Sequence, residues 1–246
     1  MKNSISVIVP AYNEEKNLAN TISVINRAFK NLIPDYEILI FNDCSKDRTK
    51  EIADEIAKKD NRVKVIHNLV NKGLGWNYIK GIELANKNYI MLIPGDDDIP
   101  EDSIKKIIGY IGKAEIINPY FTNAFQTRQF HRVLISKGYV KLMNLILGLD
   151  LKYYTGIVLH KNSLLKSLKI NDQSFSYQVE ILAKLLKSGH SFIEIGIEQT
   201  GKGSGSSKFF TYKNISGILK SMFCLVYVIR LKEKNKYNKK PVRVHY

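Results

Sequence analysis

Three adjacent aspartates, Asp96, Asp97 and Asp98, follow the apolar run at 89–93. Like charges side by side repel one another unless a cation compensates. Alternate residues of an extended segment project to the same side. Asp96 and Asp98 therefore offer their oxygens together, the donor set that a hard divalent cation takes. Two earlier apolar runs also end in polar groups: 4–10 leads into Ala11, Tyr12, Asn13 and Glu14, and 36–41 into Asn42 and Asp43. The run at 63–67 ends in His67 and the loop "NLVNKGLGWN". Lys72, Gly73 and Gly75 of that loop fit neither the G-x-G-x-x-G nor the G-x-x-x-x-G-K spacing, and the glycines do not follow the first strand, which speaks against a dinucleotide oxidoreductase. Asp47 reads as a helix N-cap.

These tips need elements to hold them. Strands are expected at 4–10, 36–41, 63–67, 89–93 and 114–118, and helices at 16–29, 47–58, 75–85, 101–111 and 177–187. The strands are apolar on both faces, as strands buried between two helical layers are. Strands alternating with helices imply βαβ units and a mostly parallel sheet. In such sheets ligands sit beyond the carboxyl ends of the strands, where the acids and amides fall.

Composition sets the outer bounds. A chain of 246 residues with 44% hydrophobic content is enough for one well-packed domain, with or without an appendage. The 38 Lys and Arg exceed the 23 Asp and Glu, for a formal charge of +15. That excess suits an anionic partner such as a nucleotide or an acidic membrane surface. No nucleic-acid-binding motif accompanies the charge. Cys44 and Cys224 lie far apart and imply no disulfide framework, which fits a reducing cytoplasm. The N-terminus lacks the apolar region and cleavage site of a signal peptide.

The segments "SVIVPAYNEEKNL", "ILIFNDCSKDRT", "NKGLGWN" and "GDDD", in this order, resemble the nucleotide-sugar half of family 2 glycosyltransferases over roughly residues 4–104. The later "SFSYQVEILAKLLKSGHSFIEIGI" and "GSGSSKFF" are similar to the polyprenyl-phosphate branch, the dolichyl-phosphate-mannose-synthase-like enzymes. The resemblance implies a single Rossmann-like glycosyltransferase-A domain at 1–212. Its nucleotide-sugar half would be 1–104 and its acceptor half 105–212, with an apolar then basic tail at 213–246. It implies that Pro10, Ala11, Tyr12, Glu14, Asp43, Lys72, Gly73, Asp96 and Asp97 line the pocket of a nucleotide diphosphate sugar. Asp96 and Asp98 would hold Mg2+ or Mn2+ on the diphosphate. That agrees with the chemistry, because a cation neutralises a diphosphate leaving group without proton transfer. Cys44 stands where the family usually has Gly. Lys202 stands where the branch often has Arg, and with Lys208 it would meet phosphate.

The acid that takes the acceptor's proton in many such enzymes is replaced here by Gln178, with Glu180 two residues on and Asp172 upstream. Asp98 and Glu180 are the expected catalytic carboxylates. A sugar hydroxyl must lose a proton to attack and needs a base, whereas a lipid phosphate is already anionic. Gln178 therefore favours a phosphate acceptor. The expected activity is inverting, metal-dependent hexosyl transfer to a polyprenyl phosphate, with transfer to a saccharide hydroxyl in cell-surface polysaccharide synthesis as the alternative. A non-catalytic nucleotide-binding module has little use for the Asp96 and Asp98 pair. The apolar stretch 221–229 is too short to span a bilayer. Behind it, residues 230–246 hold Arg230, Lys232, Lys234, Lys236, Lys239, Lys240 and Arg243 against one acid, Glu233. Such a tail, together with the apolar stretch 139–151, suits peripheral attachment to the inner face of the cytoplasmic membrane.

Overall fold

The computed structural model describes residues 3–172, 174, 176–202 and 221–245. The first half alternates as the apolar runs require. Strands β1 (Ser4–Ala11), β2 (Asp35–Asn42), β3 (Val63–His67) and β4 (Tyr89–Leu92) are followed in turn by helices α1 (Leu18–Phe29), α2 (Thr49–Lys59), α3 (Leu74–Leu84) and α4 (Glu101–Ile108). Then come β5 (Ile116–Phe121), α5 (Ala124–Thr127), α6 (Phe130–Leu147), β6 (Leu159–Lys161), α7 (Asn162–Ser167), α8 (Tyr177–Lys187) and β7 (Ser191–Ile197). Residues 221–232 form a helix, α9, whose last turn Val228–Lys232 is π-helical, and β8 is Val242–Arg243.

All eight strands join one sheet in the order β3-β2-β1-β4-β6-β5-β7-β8. Every pair is parallel except the two that β6 makes with β4 and β5. β1 and β2 end level, with Ala11 opposite Asn42. The Gly95 amide then donates to the Pro10 carbonyl at 3.0 Å, which carries the loop after β4 to the tip of β1. Three polar tips thus meet on one edge.

Alternation along the strands divides two cores. Ile5, Val7 and Val9 of β1 face α1, α2 and α4, while Ile8 faces α3, α6, α8 and α9. α3 lies so close to β1 that a Cβ on Gly81 would sit 2.5 Å from Ile8 Cδ1. Ser6 and Glu37 are a buried polar pair between β1 and β2, bonded at 2.8 Å.

The second half differs from expectation in three ways. Residues 139–147 of the apolar stretch at 139–151 are the end of a longer helix, α6, which stops where Gly148 takes a left-handed conformation (φ 60). β6 has only three residues, too few to show a period. The residues beyond 221 are no free appendage. Leu225, Ile229 and Tyr237 are buried in the second core, β8 extends the sheet, and Arg243 pairs with Glu194 at 2.5 Å. On α9, Leu225 and Ile229 complete the second core while Arg230 and Lys232 stay at the surface. No helix among the described residues is long and apolar enough to cross a membrane.

Candidate active site at the carboxyl edge of the sheet

Three sharp turns build the edge. Asn13, Cys44 and Asp97, just beyond β1, β2 and β4, all have positive φ (58, 63 and 57). Side chains resist that conformation, so the surroundings must impose it. Here they do so by cross-links between loops. Asn13 accepts from the Lys46 amide at 2.8 Å and donates its own amide to Ser45. The Glu14 amide donates to Thr49 Oγ1 at 2.7 Å, and the Glu15 amide to Asp47 at 3.1 Å. Asp47 was expected at the N-cap of a helix beginning there. The helix starts at Thr49 instead, and the Asp47 carboxylate takes the Thr49 amide at 3.0 Å. Cys44 takes a left-handed turn of the kind that glycine favours, so its side chain adds strain there.

Asp43 is buried and organises the loop after β3. Its Oδ1 accepts from the Lys72 amide and from Asn68 Nδ2, both at 2.8 Å, and its Oδ2 from the Gly73 amide at 2.8 Å. Gly73 (φ 84) turns the chain into α3. Lys72 itself is exposed, with its ammonium 5.7 Å from the Trp76 ring centre. Tyr12 and Glu14 are half-buried at the tip of β1, Pro10 is partly exposed, and Ala11 is buried. Burial pushes the Glu14 carboxyl up against the opposing hydrogen bond from Asn17, and Asp47 adds to the rise.

The aspartate triplet splits about the left-handed turn at Asp97 (φ 57). Asp97 turns inward. It accepts from Asn20 Nδ2 at 2.7 Å, its amide donates to Thr21 Oγ1 at 3.0 Å, and Lys202 Nζ lies 2.5 Å from its Oδ2. Asp97, expected to contact the nucleotide sugar, instead ties the loop to α1 and to the chain beyond β7. Lys202, expected on phosphate, neutralises Asp97. Asp96 and Asp98 stand half-buried on the other side. Asp98 Oδ1 accepts from the Gly201 amide at 2.7 Å, and Asp96 Oδ1 from the Asp98 amide at 3.3 Å. Among the described residues, each retains an oxygen without a protein partner.

Burial, then the neighbouring Asp98 and Glu14 charges, push the Asp96 carboxyl up to about 6. A cation would relieve that repulsion. No three acidic, His or Cys side chains among the described residues cluster closely enough to hold an ion alone. Two aspartates suit a cation that takes its remaining ligands from a diphosphate and water. The residues thus fit Mg2+ or Mn2+, with Asp96 and Asp98 as its protein ligands.

The late helix differs from expectation. α8 buries every residue from Tyr177 to Leu186, because it is roofed by α6 and α9. Gln178 points inward, 3.4 Å from His160 Nε2, and His160 Nδ1 is 3.3 Å from the Tyr78 hydroxyl. Burial pushes His160 down to about 3, so the ring is neutral. Gln178, expected to meet phosphate or acceptor, thus lies in the core beside His160. Glu180 is also committed. It pairs with buried Lys184 at 2.5 Å and accepts from the amides of Asn171 (3.0 Å) and Asp172 (2.7 Å). It is a clamp on the loop before α8, and a carboxylate so fully bonded makes a poor base. Asp172 is less constrained: its Oδ1 takes the Ser174 amide and its Oδ2 has no partner among the described residues. Lys208 lies outside the described residues.

Several partners had no visible sequence signal. Asn20, Thr21, Asn68, Thr200 and Gly201 are ordinary residues far along the chain from the aspartates they hold. Arg128 is another. It donates to Gln199 Oε1 (2.5 Å) and to the Tyr153 hydroxyl (3.0 Å), one residue from the Thr200 that bonds Asp98.

The chain is 32% identical over 187 residues to a dolichol-phosphate mannosyltransferase of Pyrococcus furiosus, covering 73% of this chain and 52% of that one, so it spans about half of that relative. It is 26% identical over 214 residues to a polyprenol monophosphomannose synthase of Mycolicibacterium smegmatis, covering 82% of this chain and 79% of that one. Its fold resembles Mycobacterium tuberculosis glucosyl-3-phosphoglycerate synthase, solved with Mg2+ and UDP, at TM-score 0.66 and 14% identity over 92% of this chain and 79% of that one. The profile of glycosyl transferase family 2 matches residues 6–160, more than half of the chain, so this protein belongs to that family and is a glycosyltransferase.

Proposed function

We propose that the protein transfers a sugar from a nucleotide diphosphate sugar to a polyprenyl-phosphate acceptor at a membrane surface, with inversion at the sugar carbon. The observation that carries the acceptor class is the state of α8. Gln178 is turned into the core and Glu180 is bonded on both oxygens, so neither position offers a base. A phosphate oxygen needs none. The relatives named for dolichol phosphate and polyprenol point the same way.

The donor would lie along the tips of β1, β2 and β4. The ordered loop from Asn68 to Gly73, held by Asp43, and the Tyr12 and Glu14 tip would flank its nucleoside. Asp96 and Asp98 would hold the cation, which neutralises the diphosphate as it leaves. Asp97, Lys202, Thr200 and Gly201 keep those two aspartates in place, which removes reorganisation from the reaction. Arg128, bonded to Gln199 next to Thr200, would supply a cation beside the acceptor.

A second reading keeps one observation in its favour: Asp172 Oδ2 is buried without a partner among the described residues, so this carboxylate is the candidate base for a hydroxyl acceptor. The test is to supply a panel of nucleotide sugars with Mg2+ or Mn2+ and either a polyprenyl phosphate or oligosaccharides. A mild-acid-labile glycosyl phosphate lipid is expected. Transfer to the oligosaccharide alone, abolished in Asp172→Asn, would overturn the phosphate reading.

A further inference from the structure

α6 is apolar on both sides. Its inner residues Val133, Met143 and Leu147 are buried, the last two in the second core. At 100° per residue, its exposed positions fall within an arc of about 160°. That arc carries Phe130, Leu134, Ile135, Leu142 and Leu145, of which Phe130 and Leu145 are 66% and 79% exposed. α9 runs beside it: Arg230 donates to the Ile146 carbonyl at 2.8 Å, and Leu225 and Ile229 enter the same core. α9 in turn exposes Phe223, Tyr227 and Leu231. Among the described residues, nine of the fourteen exposed large apolar side chains lie on α5, α6 and α9. Scattered surface leucines are ordinary, but an apolar concentration on adjacent helices marks a contact surface.

Charge selects the partner. Neither α6 nor α9 contains an Asp or Glu, and Lys137, Lys141, Arg230 and Lys232 stand exposed on them. Apposing this face to a second copy of itself would bring lysines together, which disfavours self-association. Cations beside apolar side chains on a helix lying flat match the interface of an anionic bilayer.

We propose that the outer face of α6, with the exposed side of α9, is the surface by which this protein lies on an anionic lipid membrane. The polybasic stretch beyond α9 is secondary, because Tyr237 and β8 bind it to the domain. The inference rests on the lipid-acceptor reading and adds an orientation to it. α6 begins two residues after Arg128, which is linked through Gln199 and Thr200 to Asp98. One end of the docking face therefore abuts the candidate site, where a headgroup held in the membrane would arrive.

The test uses the full chain and vesicles of phosphatidylcholine with or without phosphatidylglycerol. Wild type should sediment with anionic vesicles at low salt and not with neutral ones. Leu134→Glu/Leu145→Glu should lower the partition coefficient at least tenfold with an unchanged melting midpoint. Lys137→Glu/Lys141→Glu, which leaves the apolar stripe intact, should lower it as well and serves if the first variant unfolds. Both should retain transfer to polyprenyl phosphate in detergent micelles and lose it when the acceptor is in vesicles. Vesicle binding equal to wild type in a folded variant overturns the proposal. So does a wild-type chain that stays off anionic vesicles, or a wild-type dimer that Leu145→Glu splits in light scattering. Failure of wild type to use polyprenyl phosphate in micelles, with vesicle binding intact, defeats the acceptor reading and leaves the docking face standing.

Discussion

Replacing Asp43 by alanine separates two roles of one carboxylate. The resemblance puts it against the base of the donor. The structure gives it three bonds at 2.8 Å to the Lys72 and Gly73 amides and to Asn68 Nδ2. Hydrogen bonds to a charged acceptor contribute about 1.5–3 kcal/mol each when buried. Lys72 is exposed and Gly73 half-buried, so water can replace part of what is lost. About 1 kcal/mol per bond is then reasonable, or about 3 kcal/mol in all. That is a large share of the roughly 5–15 kcal/mol that holds a domain together. With a urea slope of about 2–3 kcal/mol per molar, the unfolding midpoint should fall by about 1–1.5 M. Asp43→Asn, which keeps one acceptor oxygen, should fall less. Asn68→Ala should show a coupling with Asp43→Ala beyond additivity in a double-mutant cycle. Nucleotide affinity by calorimetry should weaken too, since the loop that flanks the nucleoside loses its anchor. An Asp43→Ala protein with an unchanged urea midpoint and sharply weakened nucleotide binding would refute the anchoring argument and leave only direct contact with the ligand.

Other perturbations give distinct outcomes. Cys44→Gly should stabilise the protein by up to about 1 kcal/mol, because it removes a side chain from a left-handed turn (φ 63); a lower urea midpoint would contradict this. Asp96→Asn or Asp98→Asn should abolish metal-dependent turnover with the melting midpoint little changed, and near wild-type rates at saturating Mn2+ would remove the metal assignment. His160 is held neutral in the fold, with its pKa near 3 against 6.5 when unfolded, so stability is full above about pH 6.5 and falls as pH drops towards 3. Its share of that loss is about 2 kcal/mol by pH 5, and an NMR titration showing the His160 ring gaining a proton between pH 7 and 5 in the folded state would contradict it. Glu180→Gln should destabilise the protein by a few kcal/mol, since it leaves Lys184 buried without its partner, while the pH dependence of turnover stays unchanged. A turnover profile that loses its lower limb would restore Glu180 as a base.

The first half of this protein was legible because its information is local. Apolar runs of four to eight residues give strands buried on both faces, and their alternation with helical patterns leaves few topologies. The polar groups that follow β1, β2 and β4 must then share an edge, Asp96 and Asp98 among them. What the residues between them do was decided in three dimensions. Asp43 and Asp97 resemble ligands of a substrate, yet their carboxylates are taken by amides and side chains up to 105 positions away along the chain. Gln178 and Glu180 sit on a helix whose own pattern is ambiguous. They are buried because α6 and α9 close over them, and an amphipathic period cannot announce a second wall that arrives from elsewhere. The same holds for the basic C-terminal stretch, which reads as a loose tail by composition. Its Tyr237 and Arg243 acquire partners only once β7 and Glu194 are in place, because burial and pairing are properties of the assembled surface and not of the segment.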